Sequence, residues 1–232
     1  MIGIVVPAHN EEVLLGACLD ALIAAAAHPA LLGEAVEIVV VLDDCDDGSA
    51  AVVAQRAAGA GCTITAIALT CRQVGTARAT GARHLLAANA RWLAFTDADT
   101  RVTADWLVQQ LALDVDVVCG TVAVDDWSAH AAHAAQLQAH FKRTYHDRDG
   151  HHHIHGANLG VSAAAYRSAG GFEPVDCHED VLLVAALQRS NARFAWSAAP
   201  RVVTSARTDA RARGGFGDTM VAIVASDFAR PA

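Results

Sequence analysis

Three times in the first ninety residues an apolar run is followed by a segment with helical periodicity, and a fourth apolar run closes the series. This alternation constrains the chain more than any other feature. Residues 2–6 form the first run, ended by Pro7, and a helix is predicted from about Glu11 with Leu14, Leu15, Cys18, Leu19, Leu22 and Ile23 on its apolar face. Residues 36–42 precede a helix predicted over 47–60, residues 63–69 precede one over 75–90, and residues 92–95 form the fourth run. Continuous apolar strands separated by helices predict an α/β protein with a mostly parallel, Rossmann-like sheet flanked by helices on both faces. With 232 residues and 53% hydrophobic composition, a single domain over residues 1–232 is expected.

Ligands of such sheets bind beyond the carboxyl ends of the strands. Here those ends carry His9 and Asn10, then Asp43 and Asp44, then Asp97 and Asp99. On an extended backbone, side chains two apart point to one face, so Asp97 and Asp99 are able to approach one ion directly or through water. Hard carboxylate oxygens suit Mn²⁺ or Mg²⁺. Read alone, the pair is equally an Asp-rich turn.

Beyond Asp99 the alternation weakens. A helix is predicted over 106–113, a strand over 115–119, a His-rich helix over 129–145, loops at 151–158 and 170–174, and a helix over 179–188 with an acidic first turn. The net charge of −8 excludes a general nucleic-acid binder, and with Lys142 the only lysine, cationic work falls to arginine, whose planar fork suits phosphate. Six scattered cysteines without a CxxC pair indicate a reducing compartment. With no apolar run of about 18 residues and no basic leader, the expectation is a cytoplasmic protein, with peripheral association at the inner face of a membrane and homo-oligomerisation left open. His151, His152 and His153 are consecutive, a spacing that disfavours a zinc site.

Six short motifs occur in order: Pro7-Ala8-His9-Asn10-Glu11, the acidic turn Asp43-Asp44-Cys45-Asp46-Asp47-Gly48-Ser49, Asp97-Ala98-Asp99, Gly156-Ala157-Asn158, Gly170-Gly171-Phe172 and Glu179-Asp180. In this order they resemble the inverting family 2 glycosyltransferases of GT-A fold, nearly end to end. The resemblance implies a nucleotide-sugar-binding half over 1–100, an acceptor and catalytic half over 101–207, and a tail over 208–232. It implies a UDP- or GDP-sugar donor, with Asp43 or Asp44 on the base, Pro7 and Glu11 along the nucleoside, and Arg72 and Arg78 on the diphosphate or nucleotide. For both arginines a solvated helix face is the alternative. Asp99 would hold the metal with Asp97 assisting, Asp97 would lie against the donor, and Gly156 and Asn158 would lie against the donor sugar or the acceptor. Asp180 would be the base that takes the acceptor proton, with Glu179 in reserve.

Where many relatives carry a His near the last strand, this chain has Arg207, which implies a charge-assisted diphosphate contact and loosens the dependence on metal. The expected activity is transfer of a hexose to an unidentified small or lipid-linked acceptor. The alternatives are a sugar-phosphate nucleotidyltransferase, disfavoured by the absence of a Gly-rich phosphate loop after the first strand, and a non-catalytic nucleotide-sugar-binding domain. The tail, with Arg211, Arg213 and an apolar run over 220–225, reads either as a lid or as a docking helix.

Overall fold

The computed structural model describes residues 1–175 and 177–208. The four apolar runs form β1 (Ile2–Ala8), β2 (Val36–Asp43), β3 (Thr63–Leu69) and β4 (Trp92–Phe95). They are parallel, with β1 between β2 and β4, and β3 outside β2. The connecting helices are α1 (Leu15–Ala26), α2 (Ser49–Ala57) and α3 (Val74–Ala87). α2 is shorter than the sequence periodicity predicts because Asp47 stays outside it and accepts the Ser49 N–H at 2.9 Å. α3 ends early at Asn89, which adopts a left-handed φ of 61°.

The second half contributes β5 (Thr100–Val102), α4 (Trp106–Ala112), β6 (Val117–Ala123), α5 (Ala134–Thr144), β7 (Leu159–Ser162), α6 (Ala163–Ala169), α7 (Glu179–Arg189) and β8 (Phe194–Thr204). Among the described residues the strands form one sheet in the order β3-β2-β1-β4-β7-β6-β8-β5. β7 runs antiparallel between β4 and β6, β8 is parallel to β6, and β5 is antiparallel to β8. Only β7 and β5 therefore oppose the common direction. The helix predicted over 129–145 is instead a 3-10 segment, Ser128–His133, kinked at Ala131 (φ 46°, ψ −117°), followed by α5.

Side-chain alternation along the buried strands sorts the core into two layers. Ile2, Ile4, Val6, Ile38, Val40 and Ala94 face Leu15, Leu19 and Leu22 of α1 and Trp106 of α4. Val5, Val39, Val41, Leu93 and Phe95 face Ala77 and Leu85 of α3 and Leu183, Val184 and Leu187 of α7. Both sheet faces are covered, as fully apolar strands require. A smaller cluster of Trp127, Leu137 and Ala206 pins the chain immediately before Arg207. No helix among the described residues is long and apolar enough to cross a membrane. The tail beyond Thr208, including Arg211, Arg213 and the 220–225 run, lies outside the described residues.

Candidate active site

Because β1, β2 and β4 point the same way, the segments that follow them meet on one rim. Asn10, Asp44 and Arg72, each just past β1, β2 or β3, adopt left-handed backbone with φ of 54°, 55° and 50°. Such conformations are costly and concentrate where a site needs them. The first two loops are clasped together. Asn10 Nδ2 donates to Asp46 at 2.6 Å and its Oδ1 accepts from the Asp46 N–H at 3.0 Å, while Glu11 N–H donates to Ser49 and Gly48 N–H to Glu12. Much of the acidic turn thus fastens one loop to the next.

Asp43 and Asp44, interchangeable in the sequence, have different work. Asp43 accepts three backbone N–H groups, from Cys71, Arg72 and Gln73, at 2.7 to 2.9 Å. Burial opposes its charge, but those donors prevail and hold the carboxyl below the ordinary range. Its side chain braces the β3–α3 loop. The Asp44 side chain is 45% exposed, with Arg72, itself 67% exposed, 3.7 Å away. Arg72 also donates to His9 Nε2 at 3.2 Å, which leaves His9 Nδ1–H to donate to the Asp43 carbonyl at 2.8 Å. Pro7, opposite Val41 within β1, is half-buried at the floor of this rim.

The centre of the rim holds Glu11, Asp97 and Asp99. Glu11 is buried and takes a bidentate pair from Arg207, which also lies 3.0 Å from Asp99 Oδ2. The Thr100 hydroxyl donates to Thr204 at 2.9 Å, and the Thr204 hydroxyl in turn donates to Asp99 Oδ1 at 3.4 Å. Burial, then Asp97 and Glu11, push the Asp99 carboxyl up to about 6 despite Arg207. Three carboxylates here face two guanidinium groups, Arg207 on Glu11 and Asp99 and Arg78 on Asp97, and a hard-oxygen donor set with one negative charge in excess fits a divalent cation. Among the described residues no three His, Cys, Asp or Glu side chains converge as a ready-made metal cage.

Arg78 departs from the solvated helix face, one of the two alternatives read from the sequence. It is 3% exposed, on the face of α3 that also buries Gly75, Gly81 and Leu85. One terminal nitrogen donates to Asp97 and the other to Glu179. Burial disfavours its charge, but Asp97, Glu179 and Asp180 outweigh that and raise its pKa. Glu179 is 5% exposed and spoken for. Asp180, by contrast, remains partly exposed at the start of α7, its Oδ2 accepting the Gly156 N–H and its Oδ1 the Val181 N–H, both at 2.8 Å.

Asn158, read as a contact of the donor sugar or the acceptor, is 1% exposed. Its Nδ2 donates to the Thr121 and Pro200 carbonyls and its Oδ1 accepts the Trp106 indole N–H, all at 2.8 Å. The amide serves the framework that carries the Gly156 turn. Two residues unassigned from the sequence border the site. Thr204 holds Asp99, and Tyr145 hydrogen-bonds His155 Nε2 at 2.9 Å while accepting the Val122 N–H. Burial, then His153, pull His155 down to about 4, so it is neutral at physiological pH. His153 stacks on Tyr145 at 4.1 Å and faces His151 and His155, a packed ladder of rings.

No curated protein matches the chain. Among solved structures, S. aureus TarS 1-349 in complex with UDP-GlcNAc superposes with a TM-score of 0.66 at 15% identity, covering 93% of this chain and 61% of that one. The mannosyltransferase PcManGT from Pyrobaculum calidifontis, in complex with GDP-Man and Mn²⁺, gives 0.67 at 20% identity, with 90% and 58% covered. GalNAc-T7 with UDP, GalNAc and Mn²⁺ gives 0.67 at 14%, with 97% and 47% covered. This chain therefore spans about half to three-fifths of those proteins, and at such identities the likeness shows the shared GT-A fold. Residues 3–169, most of both sheet halves and every rim loop after β1 to β4, match the family described as Glycosyl transferase family 2, and the chain belongs to that family.

Proposed function

We propose that the protein is an inverting glycosyltransferase that moves a sugar, a hexose in the simplest case, from a UDP- or GDP-sugar to a hydroxyl of a small or lipid-linked acceptor. The observation that carries this reading is the span of one guanidinium. Arg78 binds Asp97 after β4 and Glu179 at the start of α7, so the loop that carries Asp97 and Asp99 lies beside the helix start that carries Glu179 and Asp180. The solved relatives whose complexes contain UDP-GlcNAc and GDP-Man support a nucleotide-sugar donor.

In this reading Asp44 accepts a hydrogen bond from the base, since the Asp43 oxygens already carry three backbone donors. Arg72, exposed beside it, meets the nucleotide. Asp99, assisted by Asp97, would hold Mn²⁺ or Mg²⁺, and such an ion when bound neutralises the charge that develops on the departing diphosphate. Arg207, between Glu11 and Asp99, supplies a second cation there. Asp180 takes the acceptor proton as the new glycosidic bond forms, because it is the partly exposed member of its pair and its carboxylate is aimed by the Gly156 and Val181 N–H groups.

The test is Asp180→Asn with a panel of UDP- and GDP-sugars and Mn²⁺. Transfer and donor hydrolysis should fall at least about 100-fold with donor affinity kept. Unchanged turnover would remove Asp180 as base, and retention of anomeric configuration in the product would overturn inversion.

A further inference from the structure

We infer that Arg78 is a positioning residue that sets the donor-side aspartates against the acceptor-side base, and that it does not contact the nucleotide. The inference deepens the proposed transferase function and rests on it. Four chain segments meet at this guanidinium. Asp97 comes from the end of β4, Glu179 from the first turn of α7, Gly156 from the turn before β7, and Arg78 itself from α3.

The contacts close a circuit. Arg78 holds Glu179, the next residue Asp180 accepts the Gly156 N–H at 2.8 Å, and the Cα of Gly156 lies against the guanidinium so closely that a Cβ there would collide with it. The Phe172 ring, 5.8 Å from the guanidinium carbon, packs against it. A side chain held in this way has little rotamer freedom left, so the direction in which Asp180 points depends on where Arg78 stands. Gly75 shows the same tight fit, since a Cβ there would meet the Glu173 carbonyl at 2.5 Å and Glu179 Cβ at 3.2 Å. α3 therefore presses directly on the start of α7.

The alternative, that Arg78 donates its fork to phosphate, asks a buried guanidinium to abandon two carboxylates. Glu179, 5% exposed, would be left as an unpaired buried charge. Arg72, two-thirds exposed at the same rim, meets a nucleotide without any such exchange. A lysine at position 78 would not reproduce the arrangement, because one ammonium cannot reach two carboxylates as a planar fork does.

The experiment compares wild type, Arg78→Lys, Arg78→Met and the double variant Arg78→Met/Glu179→Gln as full-length chains. It reads melting temperature, Kd for UDP and GDP by titration calorimetry, and kcat and KM for the donor. The double variant removes the buried carboxylate charge together with the guanidinium, and Asp97, partly exposed, is left to water. Positioning predicts that kcat falls about 100-fold in whichever variants fold, the scale of a misplacement of about 1 Å, while Kd for the nucleotide stays within about threefold. Arg78→Lys should fold and lose at least about tenfold in kcat with Kd unchanged. A tenfold or greater loss of nucleotide affinity in any of them would overturn the inference, because Arg78 would then be a nucleotide contact. A stable double variant with wild-type kcat would equally overturn it, because the role would be stability alone. If wild type binds neither UDP nor GDP, the transferase reading has failed and the inference falls with it.

Discussion

Replacing Asn158 with alanine separates a framework residue from a ligand contact. The substitution strips hydrogen-bond partners from the Trp106 indole N–H and from the Thr121 and Pro200 carbonyls, around a side chain that is 1% exposed. Each buried group left unsatisfied costs about 1–3 kcal/mol, and the two carbonyls keep lone pairs open to relaxation, so the expected total is about 3–5 kcal/mol. That is a large share of the stability of a typical domain, about 5–15 kcal/mol. For a chain of this size each kcal/mol shifts Tm by about 2–4 °C, which gives a loss of about 6–20 °C. Asn158→Asp should cost more, since it keeps the acceptor for Trp106 but turns a carboxylate toward two carbonyls. Calorimetric melting and denaturant unfolding of both variants, with UDP and GDP titrations at a temperature where they remain folded, give the comparison. A wild-type Tm in Asn158→Ala combined with a tenfold loss of nucleotide affinity would refute the reasoning, because the amide would then be facing a ligand.

Further outcomes follow from the same geometry. Gly156→Ala should lower kcat by at least about tenfold, since the guanidinium it would strike is pinned by two carboxylates and cannot yield cheaply; wild-type kinetics would show that the turn has room. Asp44→Asn should weaken nucleotide binding with little change in Tm, whereas Asp43→Asn should lower Tm by replacing one of the two oxygens that accept three N–H groups with an NH2 donor; the reverse pattern would exchange their roles. The folded-state pKa of Asp43 lies below its unfolded value, so its contribution to stability is full above about pH 5 and lost as pH falls through the depressed value. The stabilities of wild type and Asp43→Asn should therefore converge as pH falls through the depressed value. His155 is pulled down to about 4, so the unfolded chain binds its proton first and stability declines as pH falls from about 6.5 toward 4. His155→Gln should flatten that decline, and an unchanged slope would place it elsewhere.

The parts of the fold legible in the sequence are those built from long apolar runs. β1 to β4 and their parallel order follow from continuous buried strands alternating with helices. β7, four residues long and interrupted by Gly160, is too short to show a period, yet it sits in the middle of the sheet. Gly160 is there because a Cβ would run into Gln110 and Trp92. β5, three residues long, leaves no pattern either, and β8 is irregular where β6 pairs across the shift between Gly120 and Thr121.

At the site, the rim position of Asp44, Asp97, Asp99 and Asp180 was readable because strand ends and helix starts are readable. The division of labour between neighbours was not. Asp43 differs from Asp44, and Glu179 from Asp180, in which carboxylate the loops and Arg78 engage, a tertiary matter. A signal for Arg78 was present: it shares the helical spacing of Gly75, Gly81 and Leu85, so an arginine on that face of small residues had to be buried and paired. Asn158 gave no such signal, because its three partners come from β6, α4 and β8.

The central claim is that carboxylates from separate strand ends form one cation-assisted site for a nucleoside diphosphate sugar. It is tested most directly by titrating UDP- and GDP-sugars into wild type and Asp99→Asn, with and without Mn²⁺. Saturable binding that strengthens with Mn²⁺ in wild type and loses that dependence in Asp99→Asn is the predicted result. No binding of any donor to wild type in the presence of Mn²⁺ would contradict it.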